Sequence, residues 1–220
     1  MSRVMPAWRE ALADRWFTLK LLLTPGLFFI YSAVTQHLGN YIESRPGVRL
    51  DDKILTLLPS IDFSAPVFFL LYLSLTLVVI THIDKPRIIL RIIEMHFLVA
   101  VVRQICILLV ALDPPSGIIV LRDLFLENTV YPRHSPLTKD LFFSGHVASI
   151  WLYFLCADRK YIKYYMVFAS LMMSFMILCM RVHYSYDVMG AYFFTTLIYF
   201  APIWIRNYFF ADKLVSEPGE

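Results

Sequence analysis

"APVFFLLYLSLTLVVITHI", residues 65–83, runs from Ala65 to Ile83 without a lysine, arginine, aspartate or glutamate. An uncharged apolar stretch of roughly 18 residues or more, rising about 1.5 Å per residue as a helix, is long enough to cross a bilayer core about 30 Å thick. Working outward, five more apolar segments have the length or composition of a span: 19–38, 88–112, 141–157, 161–180 and 188–206. The 141–157 segment is the shortest and is polar at its start. The expected fold class is all-α, a polytopic membrane protein with six transmembrane helices. Residues 1–18 form an N-terminal segment, 19–206 the transmembrane domain and 207–220 a C-terminal tail.

The whole chain agrees with this reading. It has 220 residues, of which 59% are hydrophobic and 17% charged, against roughly half apolar in soluble domains. The net charge of +3 is better explained by loop lysines and arginines that orient membrane helices than by a nucleic-acid partner, and none is expected. Cys106, Cys156 and Cys179 lie inside apolar runs without a Cys-x-x-Cys pair, so they read as apolar filling. The first 20 residues lack the pattern of a cleaved signal peptide, and the first span is expected to direct insertion. The lipid bilayer is the first expected partner.

If the N-terminus is cytoplasmic, twelve lysines and arginines fall on that side and seven on the other. The positive-inside rule then places both termini in the cytoplasm. His146 at the start of the fourth span and His183 after the fifth come out together on the outer or lumenal face.

Those two histidines carry the candidate chemistry. His183 and Asp187 are spaced i,i+4 in "RVHYSYDVMGAYFFTT", 181–196, and share one face if a helix starts near 183. A carboxylate beside an imidazole fixes its tautomer and leaves the other nitrogen more basic. Ser144, Gly145 and His146 open a helix whose first amides and dipole suit an anion. A phosphate held there would lie between His146 and His183, one attacking phosphorus and the other protonating the leaving oxygen. That division of labour needs no metal and no cofactor, although a two-His, one-Asp metal site and a purely structural pair are alternatives.

The third span holds Arg91, Glu94, His96, Arg103 and Gln104. Arg91 and Glu94, i,i+3, are expected to pair with each other. His96 and Arg103, i,i+7, share another face. A guanidinium so deep in a span normally faces a polar cavity or a partner. It suits either a phosphate or an ion pair. His37 and His82 read as interfacial polar residues. Loop 113–140 is expected to cover the site, with Asp123 or Glu127 as candidate acids or bases and Asp140 as a helix cap or ring-orienting group.

"DLFFSGH" (140–146) and "HYSYDVMGAYFFTT" (183–196) resemble the third and fourth motifs of the sphingomyelin synthases, within the lipid phosphatase/phosphotransferase (PAP2) superfamily. The match is carried by His183, Tyr184, Asp187, Val188, Ala191, Tyr192 and Thr195. "RQICILLVALDPPSG" (103–117) is similar to the second motif, with Arg103 as its arginine, and "DDKILTLLP" (51–59) to the first.

The resemblance implies a lipid phosphatase-like catalytic core that moves a phospho-head-group, such as phosphocholine or phosphoethanolamine, from a glycerophospholipid donor to a lipid acceptor, ceramide or diacylglycerol. His183 is then the nucleophile, Asp187 assists it, and His146 serves the leaving and entering hydroxyls. Arg103, Asp140, Ser144, Gly145 and Tyr184 are the expected substrate-binding residues. A hydrolase using the same three residues with water is the alternative. Two departures move the chain away from ordinary phosphatidic acid phosphatases. The Lys-x6-Arg-Pro motif is absent, and Arg181 lies only two residues ahead of His183.

Overall fold

The computed structural model describes residues 3–122 and 137–215. Asp123 and Glu127 lie outside the described residues. Eight helices are described: α1 Val4–Ala13, α2 Arg15–Ser44, α3 Lys53–Leu57, α4 Ser64–Thr81, α5 Pro86–Leu109, α6 Gly145–Cys156, α7 Lys160–Cys179 and α8 Ser185–Val215. Among the described residues one isolated bridge, Val48 to Leu112, is the non-helical pairing. Six of the helices coincide with the six apolar segments of the sequence. Four of them, α2, α4, α5 and α7, are long and apolar enough to cross a membrane, and α6 is a shorter apolar helix.

The short α6 is the centre of the bundle. It packs against α4, α5, α7 and α8, and Val147, Ala148, Ile150, Leu152, Tyr153 and Cys156 are buried along it. A helix so enclosed does not have to match the bilayer by its own length. By contrast α2 packs only on α1 and α5 among the main helix contacts. It leaves Leu22, Leu23, Phe29 and Ile30 exposed, as do α4 and α7 with Phe69 and Phe168. This apolar outer surface is the side that lipid would cover.

Small residues let the helices approach, as is usual where lipid removes the hydrophobic drive for association. Ala169, Ser170 and Ser174 of α7 are buried, as are Ala191 and Thr195 of α8. Hydrogen bonds cross between helices. Trp151 Nε1 donates to Thr196 Oγ1 at 2.8 Å, and the Ser174 and Tyr192 hydroxyls lie 3.0 Å apart. Such bonds contribute about 0.6 kcal/mol each inside a bilayer.

Glu94 does not pair with Arg91 as the i,i+3 spacing suggested. Its carboxylate meets Lys20 Nζ of α2 at 3.2 Å, because α2 packs on this face of α5. His82 is fully buried rather than interfacial. Its Nε2 lies 2.8 Å from Asp158 Oδ1, its Nδ1 2.9 Å from the Val78 carbonyl, and Lys85 joins the same aspartate. Burial pushes the Asp158 carboxyl up, but the Lys85 hydrogen bond and charge, with His82, hold it below the ordinary carboxylate value. The three cysteines are free thiols, two of them buried.

These contacts sort the helix ends. The α4–α5 turn meets the α6–α7 turn at one end, through His82, Asp158 and the Arg159–Asp84 pair at 3.1 Å. At the opposite end lie the C-termini of α2, α5 and α7 and the N-termini of α4, α6 and α8. There Arg45 donates to the Ile107 and Leu108 carbonyls, and Ile61 N–H reaches the Cys179 carbonyl. Gly47 belongs to this end. A Cβ at Gly47 would sit 2.4 Å from the Leu112 backbone carbon, so only glycine permits the approach that pairs Val48 with Leu112.

Candidate active site

His146 and His183 both line one cavity of about 430 Å³ at this end of the bundle, as the sequence reading expected of their shared face. Arg103, Asp140 and Gly145 line it too, as do His96 and Tyr31 farther along α5 and α2. Apolar walls come from Phe68 and Leu71 of α4 and Val99 and Ala100 of α5. The cavity lies between α4, which packs on α6 and α7, and α5, which packs on α2 and α6. Polar groups are therefore concentrated at one part of an otherwise apolar chamber, the form of a site for an amphiphile.

The dyad is built by the turn between α7 and α8. The chain reverses at Arg181, whose φ of 57° is a left-handed conformation more often taken by glycine. His183 and Asp187 then fall one helical turn apart. His183 Nδ1 lies 3.2 Å from Asp187 Oδ2, and the Tyr184 amide donates to the same oxygen at 2.9 Å. Asp187 is fully buried and His183 nearly so. With Nδ1–H turned to the carboxylate, Nε2 is the nitrogen left for chemistry. An acidic residue in the first turn also suits the positive end of α8.

The start of α6 is held by α5 and α8. Arg103 Nε donates to the Phe143 carbonyl at 2.6 Å, and its Nη2 to the Asp140 carbonyl at 3.2 Å and to Asp140 Oδ2 at 3.0 Å. Ser144 donates its amide to the Asp187 carbonyl at 3.1 Å. Phe143 stacks on Phe194 with centroids 5.3 Å apart. Gly145 is where α6 passes Arg103. A Cβ there would lie 3.2 Å from Nε, so the missing side chain makes room for the guanidinium. The His146 ring meets the edge of Phe68 at 5.7 Å between centroids.

Arg103 is thus the ion-pair partner of Asp140, one of the two roles that the sequence left open, and it also lines the cavity. Burial works against ionising Asp140, but the charge and hydrogen bond of Arg103, with the nearby His183 and His146, keep its carboxyl below the ordinary value. Asp140 is not the cap of α6; that position is Ser144, whose hydroxyl is buried without a partner.

Tyr184 is not brought to the cavity. Its hydroxyl donates to the Asp113 carbonyl at 2.8 Å and accepts from the Leu50 amide at 3.2 Å, so it ties two loops beneath the site. Among the described residues no three His, Cys, Asp or Glu side chains form a metal-binding group.

Two positioning residues escaped the sequence reading. Asp52 caps α3 through the Ile54 amide at 3.0 Å and also accepts from the Ser185 amide at 2.6 Å, fixing the first turn of α8. Glu43 at the end of α2 accepts from the Thr138 and Lys139 amides at 3.0 and 3.2 Å and holds the segment that leads into α6. The similarity of "DDKILTLLP" to a family motif was the one signal for Asp52; nothing in the sequence marked Glu43.

Residues 139–203 match the family model described as PAP2 superfamily C-terminal. That segment includes His146, His183 and Asp187. The match supports the PAP2 superfamily and, with it, an enzyme of lipid phosphatase or phosphotransferase type. No curated protein and no solved structure matches the chain.

Proposed function

We propose that the chain is a membrane head-group transferase of sphingomyelin synthase type. It moves a phospho-head-group such as phosphocholine or phosphoethanolamine from a glycerophospholipid to a lipid hydroxyl, such as that of ceramide or diacylglycerol. The observation that carries this reading is the buried His183–Asp187 pair on the wall of a largely apolar cavity that it shares with His146 and Arg103.

His183 Nε2 attacks phosphorus while Asp187 keeps Nδ1 protonated and stabilises the charge that develops on the ring. The bond from phosphorus to the diacylglycerol oxygen breaks, and His146 gives that oxygen a proton. The product is diacylglycerol and a phosphohistidine that carries the head group. His146 then takes the proton of an acceptor hydroxyl, whose oxygen attacks phosphorus and releases His183. Arg103 and the first amides of α6 balance charge on the phosphoryl oxygens. Ser144 and Gly145 shape that helix opening, and Tyr184 acts through the loops it holds.

In this reading the bilayer surrounds α2, α4, α5, α7 and α8, both termini are cytoplasmic and the site opens to the outer or lumenal face. The excess of Lys and Arg on the N-terminal side supports that orientation. A phosphatase or phospholipase C-like hydrolase is the second reading, since His146 can activate water as well as an alcohol. Purified protein incubated with labelled phosphatidylcholine or phosphatidylethanolamine, with and without ceramide, separates the two. A transferase makes a new ceramide phospholipid, and a hydrolase releases the phospho-head-group regardless of ceramide.

A further inference from the structure

The charge balance of the cavity goes further than the transfer chemistry. Arg103 is the one lysine or arginine among the described residues that line it, and its charge is already matched by Asp140 at 3.0 Å. The nearby Lys139 is committed elsewhere, to Asp113 at 2.9 Å and to the Arg45 carbonyl at 2.7 Å. Arg181 is turned to the Ser116 carbonyl at 3.1 Å. Asp187 stands behind His183 and adds a second carboxylate to this part of the molecule. A phosphomonoester carries about −1.5 to −2 near pH 7. Among the described lining residues it would meet no lysine or arginine that is not already paired with a carboxylate. A phosphodiester carries −1, and one that ends in an ammonium group brings its own compensating charge.

Asp140 is placed to receive that ammonium. It lines the cavity, its side chain keeps 36% exposure against 16% for Arg103, and only Oδ2 is engaged with the guanidinium. We propose that Asp140 is the head-group discriminator of this site: it neutralises Arg103 so that a monoester is rejected, and it presents a carboxylate to the cationic amine of a phosphodiester lipid. This rests on the transferase reading for its substrate class, but it assigns to Asp140 a selection that the His183–Asp187–His146 chemistry does not require. Carboxylates select cations by attraction and refuse anions by repulsion, so one residue supplies both sides of the discrimination.

The test compares the full chain with its Asp140→Asn and Asp140→Glu variants, each also carrying His183→Ala. Native mass spectrometry of protein in detergent reads competitive retention of three probes: phosphatidylethanolamine, phosphatidylcholine and phosphatidic acid with the same acyl chains. Binding rather than turnover is read, so the result stands whether or not the protein proves to be a transferase. With Asp140 present, the two zwitterionic lipids are retained over phosphatidic acid by about tenfold. Asp140→Asn collapses or inverts that ratio, and Asp140→Glu keeps it. The ratio between the first two probes tells a primary from a quaternary ammonium. Preference for phosphatidic acid at the outset, or an equal loss of all three lipids in Asp140→Asn, overturns the proposal. An equal loss would leave Asp140 as a support for Arg103 alone. Selective binding without any head-group transfer in the His183 protein would sink the transferase reading and leave this one standing.

Discussion

Ser144 donates its amide hydrogen to the Asp187 carbonyl at 3.1 Å, so the residue that opens α6 is fastened to the first turn of α8. His146 is two residues beyond one partner of this bond, and His183 is four residues before the other. The spacing of the two imidazoles is therefore set by backbone.

Asp187 should matter more to chemistry than to folding when its shape is kept. Asp187→Asn retains an acceptor for the Tyr184 amide but no longer fixes the His183 tautomer. Its kcat is expected to fall by about a hundredfold or more with a small change in melting temperature. Asp187→Ala leaves the Tyr184 amide and the His183 ring without their buried partner and should also cost about 1–3 kcal/mol of stability. Steady-state kinetics beside thermal melts of the two variants checks the split.

Gly145→Ala probes the approach of α6 to Arg103. The added methyl would stand 3.2 Å from Nε and 3.4 Å from Cζ, so the guanidinium must shift by a few tenths of an ångström to make room. Helix propensity alone would favour alanine by about 1 kcal/mol. The expectation is unchanged or higher melting temperature with a KM raised about tenfold, because the displaced group is the one that meets phosphate. A variant with wild-type KM would mean that Arg103 does not touch the substrate.

Tyr184→Phe separates a binding role from a structural one. The hydroxyl holds the Asp113 carbonyl and the Leu50 amide, so its loss should lower stability by about 1–2 kcal/mol and leave KM where it was. A raised KM in a variant that melts normally would restore Tyr184 to the substrate-binding set.

Much of this arrangement is legible in the sequence, for definable reasons. Apolar run length reveals the helices, since a span must satisfy its backbone internally. The i,i+4 and i,i+7 spacings put His183 with Asp187 and His96 with Arg103, because helical periodicity is local. The loop contacts are of another kind. Glu43 reaches Thr138 and Lys139, and Asp52 reaches Ser185, across about half the chain. No periodic signal links residues that far apart. Glu94 shows the same limit in reverse: its local neighbour Arg91 was the simpler partner, but packing of α2 on α5 supplied Lys20 instead.

Acid should loosen the end of the bundle opposite the site. Asp158, between His82 and Lys85, has its pKa held below the unfolded value of about 3.9. A carboxyl lowered in the folded state adds stability that is present above the unfolded pKa and is lost as pH falls through the folded one. Melting temperature should stay level from about pH 6 to about pH 5 and decline below about pH 4. Asp158→Asn should melt lower at pH 6 and lose less on acidification. Equal acid sensitivity in both proteins would assign the decline to other carboxylates.

The central claim is a covalent head-group intermediate on His183. The P–N bond of a phosphohistidine is acid-labile, so the reaction of protein with head-group-labelled phosphatidylethanolamine is quenched in alkali, digested and read by mass spectrometry. Leaving ceramide and other acceptor lipids out of the reaction withholds the second transfer and should let the intermediate accumulate. The account predicts a phosphoethanolamine adduct on His183, absent from His183→Ala, which also loses about a thousandfold or more in turnover. Unchanged turnover in His183→Ala, with no adduct on any histidine of the wild-type chain, would contradict it.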